Sequence, residues 1–186
     1  MFEAITNFDF AILNFIQEFF RCTFLDIIMP VFGTIGNLGM VWIAIAIVMM
    51  FFRKTRSTAF IMLFAMLAGL LIGELLLKNT ICRVRPCNLV EIDMLISKPS
   101  SYSFPSGHTC SAFAAATVLL RFNRKFGIPA LVLAIIIGFS RLYNYVHFPT
   151  DVLAGAVLGI VCGLFMWWMF NKFGWKSKID KLGIKK

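Results

Sequence analysis

Residues 152–170 read VLAGAVLGIVCGLFMWWMF, an apolar run without one charged side chain. A hydrocarbon core about 30 Å thick needs roughly 20 apolar residues as helix, at about 1.5 Å rise each. Val152–Phe170 therefore predicts a membrane-spanning helix. Outward from it, similar runs occupy Ala130–Tyr145, Ser106–Phe122, Ser57–Leu77 and Leu38–Phe52. Ser106–Phe122 is less greasy but rich in Ala, Leu and Val. Leu38–Phe52 is short, yet Ile27–Phe52 carries no charge, and Gly33, Gly36 and Gly39 predict a break or bend within it. Phe8–Phe24 has apolar residues at helical spacing, interrupted by Glu18 and Arg21. It reads as an amphipathic helix in the interface or as a sixth, tilted span, with a slight preference for the span. The expected fold is all-α: a polytopic transmembrane bundle of about six helices, five clear spans plus an amphipathic N-terminal helix. It forms a single domain over residues 1–186, of which 172–186 are a basic cytoplasmic tail.

Composition agrees. Hydrophobic residues make up 60% of the 186-residue chain, charged residues 15%, and Phe occurs 21 times. Soluble domains are roughly 45–50% apolar and about 25% charged. Mean hydropathy is +0.85, so lipid is the expected solvent. The net charge of +9 does not imply nucleic acid, because the basic residues cluster at the ends of apolar runs and no nucleic-acid-binding motif occurs. The five cysteines lack metal-ligand spacing, so no zinc site is expected. Cys82 and Cys87 flank one short segment and are expected as free thiols, with a disulfide as the alternative in an oxidising compartment. The N-terminus has no basic region followed by an apolar one, so no cleavable signal peptide is expected.

The charges orient the spans. Arg53, Lys54 and Arg56 form one cluster, Arg121, Arg124 and Lys125 a second, and Lys172, Lys176, Lys178, Lys181, Lys185 and Lys186 a third. Alternating spans put all three on one side, which the positive-inside rule makes cytoplasmic. Residues 78–104 and 144–151 then fall at the outer face.

That face gathers the chemistry. Both histidines of the chain, His108 and His147, lie at its membrane edge with Lys78, Arg85 and Arg141. Ionisable groups at membrane depth are costly and mark functional sites. Three cations with two histidines imply an anionic ligand, and the planar fork of Arg suits phosphate oxygens. Ser106-Gly107-His108 follows Pro105 and opens a helix, whose free N–H groups attract phosphate. Taken alone, that tetrapeptide reads better as a plain helix start with a Ser cap. His147 and Asp151 are four residues apart; near a helix N-terminus the carboxylate can accept the Nδ1 proton and leave Nε2 as a nucleophile. Taken alone, the pair is equally an interfacial cap. Glu74, four residues before Lys78, reads as its structural ion-pair partner.

Together the three groups resemble the type 2 phosphatidic acid phosphatase family. Its KxxxxxxRP, PSGH and SRxxxxxHxxxD signature matches Lys78 to Arg85-Pro86, Pro105-Ser106-Gly107-His108, and Ser140-Arg141 through His147 to Asp151. The resemblance implies a lipid phosphatase of about six spans. Lys78, Arg85, Ser106, Gly107 and Arg141 would hold phosphate, and Glu74, Pro86, Pro105 and Ser140 would support them. His147 would attack phosphorus to give a phosphohistidine, oriented by Asp151. His108 would protonate the leaving oxygen. No metal or other cofactor is expected.

The resemblance extends to small bacterial members that recycle undecaprenyl diphosphate outside the cytoplasmic membrane, which makes that lipid the expected substrate. Phosphatidylglycerophosphate and phosphatidic acid are the alternatives. The loop Cys87–Phe104 and the N-terminal helix are expected to shape the lipid entrance. Vanadium haloperoxidases share such a site but are soluble. A lipid or anion transporter would need polar residues through the spans, which are nearly absent.

Overall fold

A computed structural model describes residues 2–181. The helices are α1 (Phe2–Phe20), α2 (Thr23–Ile35), α3 (Met40–Met50), α4 (Arg53–Leu70), α5 (Lys78–Ile81), α6 (Gly107–Phe122), α7 (Arg124–Tyr143), α8 (Pro149–Lys172) and α9 (Trp175–Lys181). No strand occurs among the described residues. The chain is an all-α membrane bundle. The end of the basic tail, including Lys185 and Lys186, lies outside the described residues.

Among the described residues three helical stretches are long and apolar enough to cross a membrane: Arg53–Asn88, Arg124–Tyr143 and Pro149–Lys172. A fourth candidate is the pair α2 and α3, bent by 52°. The bend falls at the expected glycines: a 3-10 turn covers Asn37–Gly39, and Gly39 adopts φ 69°, a left-handed conformation that costs an L side chain about 1–2 kcal/mol. This span therefore starts at Thr23, earlier than the apolar run Leu38–Phe52 suggests.

Helix α6 is the axis of the bundle. It has 16 residues, about 24 Å of helix, and packs against α4, α7 and α8. Ala112, Ala114, Ala115, Ala116 and Val118 are fully buried, which explains why this segment is smaller-chained than its neighbours. Helix α8 meets it through small residues, which let membrane helices approach closely. A Cβ on Gly159 would lie 2.3 Å from the Cys110 carbonyl oxygen, and one on Gly155 2.5 Å from that of Ser106. The interface thus requires glycine.

Helix α1 is amphipathic, with Leu13 and Ile16 buried and Phe8, Phe15 and Phe19 exposed. The polar contacts of Asp9, Asn14, Gln17 and Arg21 go to one end of the bundle. Asp9 meets Arg83 and Thr150, Asn14 meets Tyr145, Gln17 meets the Tyr143 carbonyl, and Arg21 meets the Asp93 carbonyl. A helix whose first and last thirds touch the same end lies across it, so α1 is an interfacial helix and not a tilted sixth span.

The π-helical stretch Leu71–Leu77 joins α4 to α5. Such wide turns are frequent at functional sites, and this one carries Glu74. The ends of α4, α6, α7 and α8 that bear the basic clusters lie opposite the ends that carry the signature residues.

Candidate active site

The ends of these helices opposite the basic clusters meet around a cavity of about 480 Å³. Glu74, Lys78, Arg85, Gly107, His108, Arg141 and His147 all line it. Three separate stretches of sequence thus converge on one space.

Local structure explains each placement. Lys78 is 6% exposed at the start of α5, and its Nζ donates to both Glu74 carboxylate oxygens at 2.8 Å. The expected pairing of Glu74 is therefore present, but inside the cavity. Pro86 starts a buried 3-10 turn directly after Arg85. Arg85 Nε donates to the Ser101 carbonyl at 2.7 Å, Nη2 to Ser101 Oγ at 3.0 Å, and Nη1 to the Val146 carbonyl at 2.8 Å. Ser140 Oγ donates to the Ile137 carbonyl and accepts from Arg141 Nε and Nη2, both at 3.2 Å, so it aims that guanidinium.

His147 belongs to the short segment between α7 and α8, outside the spans. Tyr145 turns the chain there with φ 57°, a strained conformation for a bulky residue. Its hydroxyl donates to Asn14 Oδ1 at 2.9 Å. His147 is 2% exposed, and Arg85 Nη1 lies 3.0 Å from its Nε2. Guanidinium can only donate, so Nε2 carries the lone pair and the proton sits on Nδ1. Burial pushes the His147 pKa down to about 4; the Arg85 charge adds to this, while Asp151 opposes it.

The expected bond from His147 to Asp151 takes a different form. Nδ1 lies 3.7 Å from Asp151 Oδ2, too far for a strong hydrogen bond. Ser103 lies beside the pair and contacts both: its Oγ is 3.4 Å from Nδ1 and donates to Asp151 Oδ2 at 2.5 Å. Asp151 also accepts from Arg83 Nη1 at 2.8 Å and from the Phe148 N–H at 2.9 Å. It is fully buried behind the histidine.

Ser106 stands apart from the cavity lining. As the cap of α6 its Oγ accepts from Thr109 Oγ1 at 3.0 Å, and its N–H donates to the Asp151 carbonyl. Pro105, also buried, precedes it. The cysteines are free thiols, Cys82 exposed and Cys87 buried.

Three residues of this network escaped the sequence reading: Asp9, Ser103 and Arg83. Asp9 was detectable in principle, as a carboxylate on the apolar stripe shared with Leu13 and Ile16. Nothing local marks Ser103 or Arg83.

The entrance also differs from expectation. Pro99 and Ser101 are the only cavity residues from the loop Cys87–Phe104, and α1 contributes none. The apolar wall comes from Gly36 and Gly39 at the α2–α3 bend, Ile43 of α3, and Leu63, Leu67 and Leu70 of α4. Ile43, Leu67 and Leu70 are 38–48% exposed, so this apolar wall is partly exposed on the side of α3 and α4.

Fold and site together define a polytopic helical membrane protein with a cavity lined by two histidines and three cationic side chains. The PAP2 superfamily matches residues 58–175, and the chain belongs to that family. It is 33% identical to an undecaprenyl-diphosphatase from Sulfolobus acidocaldarius over 121 residues, 64% of this chain and 58% of that protein. The match thus spans little more than half of that relative. The crystal structure of Aquifex aeolicus LpxE superposes with a TM-score of 0.76 at 30% identity, covering 86% of this chain and 94% of the other. A transmembrane PAP2 type phosphatidylglycerolphosphate phosphatase from Bacillus subtilis superposes with a TM-score of 0.75 at 31% identity, covering 91% and 87%.

Proposed function

We propose that this chain is a membrane lipid phosphatase that hydrolyses a lipid phosphate or diphosphate through a phosphohistidine on His147. One observation carries the reading: His147 Nε2, held by Arg85, lines one cavity with three cations, a second histidine and an apolar wall from α3 and α4. A lipid can keep its tails between α3 and α4 while its phosphate enters among Lys78, Arg85 and Arg141.

In the first step the Nε2 lone pair attacks phosphorus and the bond to the lipid oxygen breaks. His108 gives that oxygen its proton. Arg85 leaves Nε2 for the phosphate oxygens and, with Lys78, Arg141 and the N–H groups at Gly107, stabilises the charge of the transferring group. Asp151, with Ser103 beside it, balances the imidazolium. In the second step His108 takes a proton from water, whose oxygen attacks phosphorus. The N–P bond breaks, and phosphate and neutral His147 result. The reaction is proposed to need no metal. Fixed cations meet the phosphate charge, and the described residues bring together no group of three or more His, Cys, Asp or Glu able to hold one.

The proposed site faces the extracellular or periplasmic side, supported by the basic clusters at the opposite end. Undecaprenyl diphosphate is the proposed substrate, supported by the name of the Sulfolobus relative. Phosphatidylglycerophosphate is the second reading, favoured by the Bacillus neighbour. The test is phosphate release by purified protein from undecaprenyl diphosphate, phosphatidylglycerol phosphate and phosphatidic acid. Release is expected to be fastest from the first, unaffected by EDTA and inhibited by vanadate. Preference for the second would replace the substrate assignment, and loss of activity in EDTA would overturn the metal-free mechanism. Release from none of them would overturn the function.

A further inference from the structure

Helix α1 is tied to the reacting histidine by charge. Asp9 is fully buried although it sits on an interfacial helix remote in sequence from the signature. Its Oδ2 accepts from Arg83 Nη2 at 2.7 Å, while Arg83 Nη1 donates to Asp151 Oδ1 at 2.8 Å. One guanidinium therefore bridges two buried carboxylates. Charge-assisted bonds of this kind are short, directional and about twice as strong as neutral ones.

The surroundings fix that bridge in place. Arg83 Cζ lies 4.0 Å above the Phe148 ring, and Phe10 of α1 meets the same ring edge-on at 5.2 Å. The Thr150 N–H donates to Asp9 Oδ1 at 3.1 Å, and Thr150 Oγ1 donates to Asp9 Oδ2 at 2.6 Å. Asp9 thereby supplies the first turn of α8 with an acceptor that its apolar cap residue Phe148 lacks, at the positive end of the helix. The backbone completes a loop, because the Ser103 N–H donates to the Arg83 carbonyl at 2.8 Å. Ser103 is the hydroxyl that contacts both Asp151 Oδ2 and His147 Nδ1. Arg83 thus fixes Asp151 from one side and Ser103 from the other.

We infer that Asp9 is a positioning residue, which acts through Arg83 to hold Asp151 and Ser103 against His147, so that the Asp9–Arg83 bridge, rather than the seating of α1 as a whole, sets the rate of phosphoryl transfer. This rests on the assignment of His147 as nucleophile. Asp9 touches neither the cavity nor its three cations, so substrate binding is independent of it.

The experiment measures kcat and KM for lipid phosphate in detergent for wild type, D9A, D9N, R83A, D9A/R83A and N14A. Asn14→Ala removes another tether of α1 that does not involve Arg83. D9A and R83A are expected to lower kcat at least tenfold with KM within twofold. The double variant should match R83A, because both changes cut one path. N14A should retain the wild-type kcat. Additive losses in the double variant, an effect on KM in place of kcat, or an equal loss in N14A would overturn the inference. D9N keeps the side-chain shape and carries the test if D9A does not stay monodisperse. If neither variant folds, Asp9 is structural and the inference fails. An inactive wild type would overturn the phosphatase reading itself, whereas an active wild type with an unimpaired D9A overturns only this inference.

Discussion

The protonation state of His147 sets the acid limit of the proposed reaction. Its pKa is pushed down to about 4, against about 6.5 for an ordinary histidine. The nucleophile is the neutral ring. At pH 5.5 a group of pKa 4 is about 97% neutral, whereas one of pKa 6.5 is about 9% neutral. Acidification from pH 7.5 to 5.5 should therefore leave His147 almost fully available, when an ordinary histidine would lose roughly tenfold. The direct assay is an NMR titration of labelled imidazole in His108→Gln, which leaves one histidine to follow. A midpoint well below 5 is expected; a midpoint near 6.5 would refute the argument that burial and Arg85 together keep the ring neutral. The linked sign is fixed. The folded value lies below the unfolded one, so its contribution to stability is present above about pH 6.5 and lost as pH falls through about 4.

Arg85→Lys retains the charge but loses the fork that spans Ser101, Val146 and His147; phosphate-release assays should show kcat/KM down by about 10²-fold or more. Gly159→Val pushes a side chain into the backbone of α6, an overpacking that costs about 1–3 kcal/mol or more. The detergent-solubilised Tm should drop by about 2–4 °C per kcal/mol. Leu67→Trp adds bulk to the apolar wall from α3 and α4, where the lipid is proposed to enter. It should raise KM for a long-chain lipid phosphate more than for a short, water-soluble one, and equal effects on both would argue against entry by that route.

Legibility in the sequence followed the range of the forces involved. Runs such as Val152–Phe170 announce themselves because the bilayer imposes a length. The bend near Gly39 was legible because a left-handed residue there favours glycine. The convergence of Lys78, Arg85, His108, Arg141 and His147 was legible from spacing and sidedness, since buried cations need a shared reason to be there. What escaped was set by long-range packing. Helix α1 could not be placed from its pattern, because an amphipathic stripe is the same whether it faces a bundle sideways or spans obliquely. Ser103 reaches both His147 and Asp151 because residues 83–104 fold back over the site, a path that no local pattern encodes. The apolar wall of the cavity depends on how α3 and α4 stand, which their apolar sequences do not specify.

The central claim is that His147 Nε2 takes the phosphoryl group. Rapid acid-free quenching of the enzyme with ³²P-labelled lipid phosphate, followed by peptide mapping, tests it most directly. Alkali-stable, acid-labile label on the peptide containing His147, absent from His147→Ala, is the predicted result. Label elsewhere, or undiminished turnover in His147→Ala, would contradict it.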